Sequence, residues 1–170
     1  MTETAAPARK DRRSAARLAA VQALYEMDIA GANSDGVLRN FLDARWADAA
    51  AETTAEFGGD VDNDLFTMIV RGVADDLGAG DEMIAEALSA DWTVPRLEVL
   101  VRAILRAGVF ELSTSNQVPS RVIINEYVDV AHAFFIRGEP ALVNGVLDRL
   151  ARILRAEEME PADDDAAKDQ

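Results

Sequence analysis

Cysteine is absent from all 170 residues. That removes disulfides, thiolate metal sites and cysteine nucleophiles together, and it fits a reducing compartment. There is a single histidine, His132, set beside Phe134 and Phe135 in a helical stretch. A lone helical histidine without a thiol partner reads as structural rather than as an acid–base group. No apolar run approaches the roughly 20 residues needed to cross a bilayer, so no membrane association is expected. No segment alternates with a period of two, so there is no strand for a glycine-rich phosphate loop to follow. Aromatic residues make up only 6% of the chain. These absences argue against hydrolytic or metal-dependent catalysis, and the chain is read as a non-enzyme with no metal and no cofactor.

What remains is helical. Hydrophobic residues reach 49%, much of it alanine, which points to helices meeting through small contact residues. The apolar spacing predicts a first helix from Asp11 to Ala30, ended by Gly31, with Leu18, Val21, Leu24, Tyr25 and Met27 facing inward. A second helix follows Ser34 through Trp46 and ends by "FGG" (57–59). A third follows "DVDND" (60–64), carrying Leu65, Phe66, Ile69 and Val73. "GAGD" (78–81) then breaks the chain, and Asp81 caps a short fourth helix. Pro95 suits the first turn of a fifth, which is apolar around most of its circumference and therefore central. "SNQVPS" (115–120) precedes the sixth, and "RGEP" (137–140) the seventh. The expected fold is all-α, a compact bundle of about seven helices in two subdomains. Residues 1–10 form a flexible arm and residues 11–155 the folded part, three helices over 11–78 and four over 79–155. Residues 156–170, "AEEMEPADDDAAKDQ", form a disordered acidic tail.

Charge is unevenly placed. The net charge is −14, yet residues 1–25 are net positive through Arg9, Lys10, Arg12, Arg13 and Arg17. An acidic body repels nucleic acid at long range, so anion binding must come from a local patch. Two motifs fail on inspection. "RRSAARLAAVQAL" (12–24) looks like a twin-arginine export signal, but Arg17, Gln22, Glu26 and Asp28 interrupt the apolar region such a signal needs; the protein is read as cytoplasmic. "DVDNDLFTMIVR" (60–71) places Asp60, Asp62 and Asp64 like calcium-loop ligands. Leu65 stands where the turn needs glycine, however, and Arg71 where a bidentate glutamate belongs.

The arginine cluster survives. At 100° per residue, Arg9, Arg13 and Arg17 lie at about 0°, 40° and 80°, with Arg12 at about 300° and Lys10 at about 100°. The basic side abuts the core stripe. It is either a solvated polar face or a site for an anion. The dominance of arginine over lysine suits bidentate phosphate contact and base stacking.

Four segments, "RRSAARLAAVQALYEMDIAG", "ILRAGVFEL", "VPSRVIINEYVDVAHAF" and "LVNGVLDRLA", resemble in order and spacing the NusB family of transcription antitermination factors over residues 9–155. The resemblance implies an all-α protein that binds the single-stranded boxA element of ribosomal RNA leaders. It implies as partners NusE, a ribosomal protein, and the RNA polymerase antitermination complex, and some members self-associate as a homodimer that covers the basic region. It places RNA on the start of the first helix: Arg13 and Arg17 fall on basic family positions, Arg9, Lys10 and Arg12 lie beside them, and Gln22 is within reach of a base edge. Arg137, with the helix opening at Pro140, is a further phosphate contact. Leu142 stands where relatives commonly carry phenylalanine, and Val101 where they often place an acid.

Asn125, Glu126, Asn144, Asp148, Arg106 and Glu111 read as polar groups that hold helices in register, with Arg106 paired to Glu126 or Glu111. Charge reversal at Arg13 and Arg17 together is expected to abolish RNA binding without unfolding the protein. Two other classes remain open. One is a free-standing recognition module like that preceding the catalytic domain of some RNA cytosine methyltransferases; the other is a helical protein-interaction adaptor.

Overall fold

The structure, a computed structural model, describes residues 9–49 and 61–160, and side chains over 12–43 and 61–160. The described residues form eight α-helices and no strand, as the all-α expectation requires. They are α1 (Arg9–Ala30), α2 (Ser34–Ala49), α3 (Asn63–Asp75), α4 (Leu77–Ala87), α5 (Val99–Thr114), α6 (Ser120–Phe134), α7 (Glu139–Leu154) and α8 (Ala156–Met159).

Boundaries follow local chemistry. Gly31 ends α1 with φ +64°, a conformation that side chains disfavour. Asp62 caps α3, its Oδ1 accepting from the Leu65 amide at 3.0 Å. Glu98 caps α5, accepting from the Leu100 and Val101 amides at 2.9 and 3.2 Å.

Several boundary expectations are corrected. "GAGD" does not break the chain: α4 runs through it from Leu77, because helix packing on α5 and α7 outweighs glycine's weak propensity. Asp81 is therefore inside a helix rather than capping one. Pro95 sits in a 3-10 turn at Val94–Arg96, and α5 starts after it. The expected subdomain division at 78–79 consequently falls inside α4. The acidic stretch from 156 also opens with a helical turn, α8, which buries Met159. The 57–59 end of the second helix, Asp60 and the Trp46 side chain lie outside what is described, as do residues 1–8 and 161–170.

α5 is central, packing against α1, α3, α4, α6 and α7. Val101, Ala103, Ile104, Leu105, Ala107 and Val109 are all buried around it. Gly108 lets α6 and α7 approach: a Cβ there would stand 2.8 Å from Leu147 Cδ2 and 3.4 Å from the Tyr127 ring. α1 reaches α5 through small residues, with Ala16, Ala20, Val21, Ala23 and Leu24 buried.

Chain direction decides which helix ends meet. Arg17 meets Glu111 and Asp28 meets Arg102, so α1 runs antiparallel to α5. α6 returns antiparallel to α5 after a short connection, Tyr127 reaching Glu111. The starts of α1 and α6 therefore lie at the same end of the bundle as the C terminus of α5.

Candidate nucleic-acid interface

Three charged residues on apolar stripes of three helices converge beneath the start of α1. Arg17 is 2% exposed. Its Nε and Nη2 donate to Glu111 Oε2 and Oε1 at 2.8 and 2.9 Å, and its Nη1 lies 3.6 Å from Glu126 Oε2. The Tyr127 hydroxyl donates to Glu111 Oε2 at 2.6 Å, and the Ser14 hydroxyl donates to Glu126 Oε2 at 2.7 Å. Burial works against the Arg17 charge, but the hydrogen bonds and attraction of Glu111 outweigh it, so the guanidinium is held above its ordinary value. Burial foremost, then the Glu111 charge, pushes the Tyr127 hydroxyl well above its usual range.

Two expectations change here. Arg17 does not belong to an open RNA surface, because its guanidinium is committed inside the protein. Arg106 does not pair with Glu111 or Glu126 either. It reaches Asp81 through two bonds of 2.8 Å and Asp28 at 3.3 Å, and the hydrogen bond to Asp81 leads in holding its charge above the ordinary value. Each of these arginines takes the carboxylates that its own helix face meets.

One turn earlier, the same side of α1 is only half covered. Arg13 is partly exposed and makes no hydrogen bond or ion pair among the described residues. Arg12 is also partly exposed, and its carbonyl accepts from the Asp62 amide at 3.2 Å, tying this turn to the start of α3. Arg9 and Lys10 open α1; their side chains lie outside the described residues. Arg9, Lys10, Arg12 and Arg13 are thus brought together at the end of the bundle where α6 begins. Arg121, exposed in the first turn of α6, lies at this same end. The sequence alone does not single it out, because only the chain directions show where α6 starts.

Gln22 is half-buried on the outward side of α1, and Tyr25, expected in the core, is 39% exposed beside it, with Ile29 60% exposed further along. Val21 and Leu24 face the core as expected, and Ala16, Ala20 and Ala23 complete the core-facing arc of α1. Arg137 is exposed in the bend before α7, beyond the far end of α6. A 15-residue helix separates the two ends of α6, a distance of about 20 Å. The structure therefore does not bring Arg137 into the α1 cluster. Glu139 occupies the first turn of α7, so a carboxylate already stands where the phosphate was expected.

Among the described residues no group of three or more metal-ligating side chains forms, and no helix is long and apolar enough to cross a membrane.

The NusB family profile matches residues 14–152. A transcription antitermination protein NusB of Bradyrhizobium sp. is 46% identical over 151 residues, covering 89% of this chain and 88% of its own length. The protein of that name from Rhodospirillum rubrum is 46% identical over 162 residues, covering 88% of each chain. Both relatives are named as antitermination proteins rather than as enzymes. Among solved structures, T. maritima NusB superposes with a TM-score of 0.70 at 25% identity, covering 88% of this chain and 97% of that one. A chain from a structure described as a plectonemic RNA supercoil shares the fold, with a TM-score of 0.67 at 21% identity over 82% of this chain and 94% of its own. A match of this extent places the chain in the NusB family.

Proposed function

We propose that this protein is a cytoplasmic transcription antitermination factor that grips single-stranded boxA-type RNA at the basic end of α1. It acts there together with NusE in the RNA polymerase antitermination complex. The observation that carries the reading is the cluster Arg9, Lys10, Arg12 and Arg13, gathered at one end of a chain whose net charge is −14. Evenly spread cations on so acidic a body would attract no polyanion, whereas a concentrated patch does so at short range. Arg121 widens the patch. Arg137 serves a strand running the length of α6, and Gln22 meets a base edge on the outward side of α1. Arg17 acts from below, holding α1 against α5 and α6 so that the turn bearing Arg13 is fixed.

The relatives' names support the antitermination role. A gel-shift titration with boxA and scrambled RNA, with and without NusE, tests the reading. Preferential binding of boxA, strengthened by NusE, is expected. Equal, weak binding of both RNAs under all conditions would overturn it.

A further inference from the structure

An apolar pocket of about 170 Å³ opens where the end of α3, the start of α4 and the second half of α5 meet. Val73 and Val109 in its walls are buried, Met83 and Phe110 are half-buried, and Leu77 is 42% exposed at the rim. α3 and α5 close the floor, since the Phe110 ring lies where a Cβ of Gly72 would stand. α4 leaves space above it: Gly80 lines the pocket, yet a Cβ there would meet nothing within 4 Å. Met68, also 42% exposed, sits one turn before Gly72 on the same face of α3 and extends the apolar rim. No wall of the pocket belongs to α1, so the site is separate from the basic turns and goes beyond the RNA reading.

Size narrows the occupant. A cavity of roughly 150 Å³ admits a benzene-sized group, whereas cofactors and drug-sized ligands need about 300–1,000 Å³. One leucine or phenylalanine side chain matches that space, the kind of anchor a protein partner buries in a pocket. Charge narrows it further. Asp75, Asp76, Glu82 and Glu86 stand exposed at or beside the mouth, and their side chains make no hydrogen bond or ion pair among the described residues. Arg106, which also lines the pocket, is spent on Asp81 and Asp28. Such a rim repels nucleic acid, and it repels a second copy of this chain, whose net charge is −14. Arginine or lysine beside the anchor is what complements it.

We propose that this pocket docks a basic protein segment, which inserts one leucine or phenylalanine between α3, α4 and α5 and lays flanking arginines or lysines on the acidic rim. The probe is a capped heptapeptide with a central phenylalanine, two arginines on each side and an alanine at each end, titrated in low salt into the full chain. Amide signals of Gly72, Gly80 and Thr114 are expected to shift, and those of residues 12–16 to stay in place. Gly80→Leu fills the pocket from open space and replaces a poor helix former, so the melting temperature is expected to hold or rise. It should weaken the peptide at least fivefold, as should alanine in place of the peptide's phenylalanine. Asp76→Asn with Glu82→Gln and Glu86→Gln should weaken it at least threefold, a difference that vanishes at about 0.5 M salt. Peptide binding that survives Gly80→Leu or loss of the phenylalanine overturns the proposal. So do shifts confined to α1, the absence of any shift at about 1 mM peptide, or self-association of the chain that Gly80→Leu abolishes.

Discussion

The guanidinium of Arg17 and the carboxylate of Glu111 face each other fork to fork, at 2.8 and 2.9 Å, with side-chain exposures of 3% and 0%. The pair joins α1 to the central helix. It also shows how a residue on the basic face of a helix is a structural member one turn inward from residues that remain accessible.

Removing one partner leaves the other charged and buried. Arg17→Met and Glu111→Gln are each expected to cost about 3–5 kcal/mol, read as a fall in the urea midpoint. The double variant Arg17→Met with Glu111→Leu should recover much of that loss, since no uncompensated charge remains. Charge reversal at Arg17, alone or with Arg13, therefore unfolds or loosens the protein, and it cannot serve as a clean test of RNA contact. If Arg17→Met melts within about 1 kcal/mol of the native chain, the pair has been misread.

The accessible cations should behave differently. Arg13→Glu with Arg121→Glu is expected to lower RNA affinity by at least tenfold while changing stability by less than about 1 kcal/mol, because Arg13 is partly exposed and Arg121 exposed, so neither replacement empties a buried site. Four phosphate contacts, each contributing a slope of about −0.7, predict roughly a fiftyfold loss of affinity for the native chain between 50 and 200 mM salt. The double variant should show a visibly shallower slope. A salt-insensitive native complex would count against phosphate contact at this end.

These contrasts mark what the sequence could and could not reveal. Helix number, the central place of α5 and the basic start of α1 were legible because periodicity and net charge are one-dimensional properties. On α1 only Tyr25 of the expected inward stripe was misplaced, because large side chains dominate an apolar count: Val21 and Leu24 are buried, and Leu18 and Met27 pack against the core. Ala16, Ala20 and Ala23 complete the core-facing arc and owe their place to the close helix approach they permit. The pairing of Arg17 left a usable trace: Glu111 and Glu126 stand in otherwise apolar faces, as Arg17 does, and buried charges demand partners. Choosing Arg17 over Arg106 as that partner required the antiparallel register of α1 on α5, which no local pattern encodes. The position of Arg137, remote from the cluster, depended on the direction of α6 in the same way.

Tyr127 links that buried network to pH. Its hydroxyl donates to Glu111, and burial above all raises its ionisation well above the usual value of 10.0. Below that value both folded and unfolded chains keep the proton and the stabilisation is complete. As pH rises past it, the unfolded chain ionises first, so stability falls by about 1.4 kcal/mol per pH unit until the folded group ionises. Urea titrations between pH 9 and 11 should show this extra slope in the native chain but not in Tyr127→Phe, which should itself cost about 1.5–3 kcal/mol at pH 7. Parallel slopes in the two proteins would remove Tyr127 from the account.

Arg155 supplies the last prediction. The final carbonyls of a helix have no partners within it, and at the end of α5 those of Glu111 and Leu112, with the following Ser115 and Val118, are met by one guanidinium that is 9% exposed. A guanidinium presents five donors in a plane, while an ammonium concentrates three at a point, so lysine cannot span four carbonyls. Arg155→Lys should therefore rescue little of the loss caused by Arg155→Met, both falling about 2–4 kcal/mol below the native chain in urea unfolding. Because α8 hangs from the same residue, both variants should also expose the bond after Arg152 to trypsin, and cleavage there should rise sharply. If Arg155→Lys restores full stability, charge rather than the span of its donors holds this end of the bundle together.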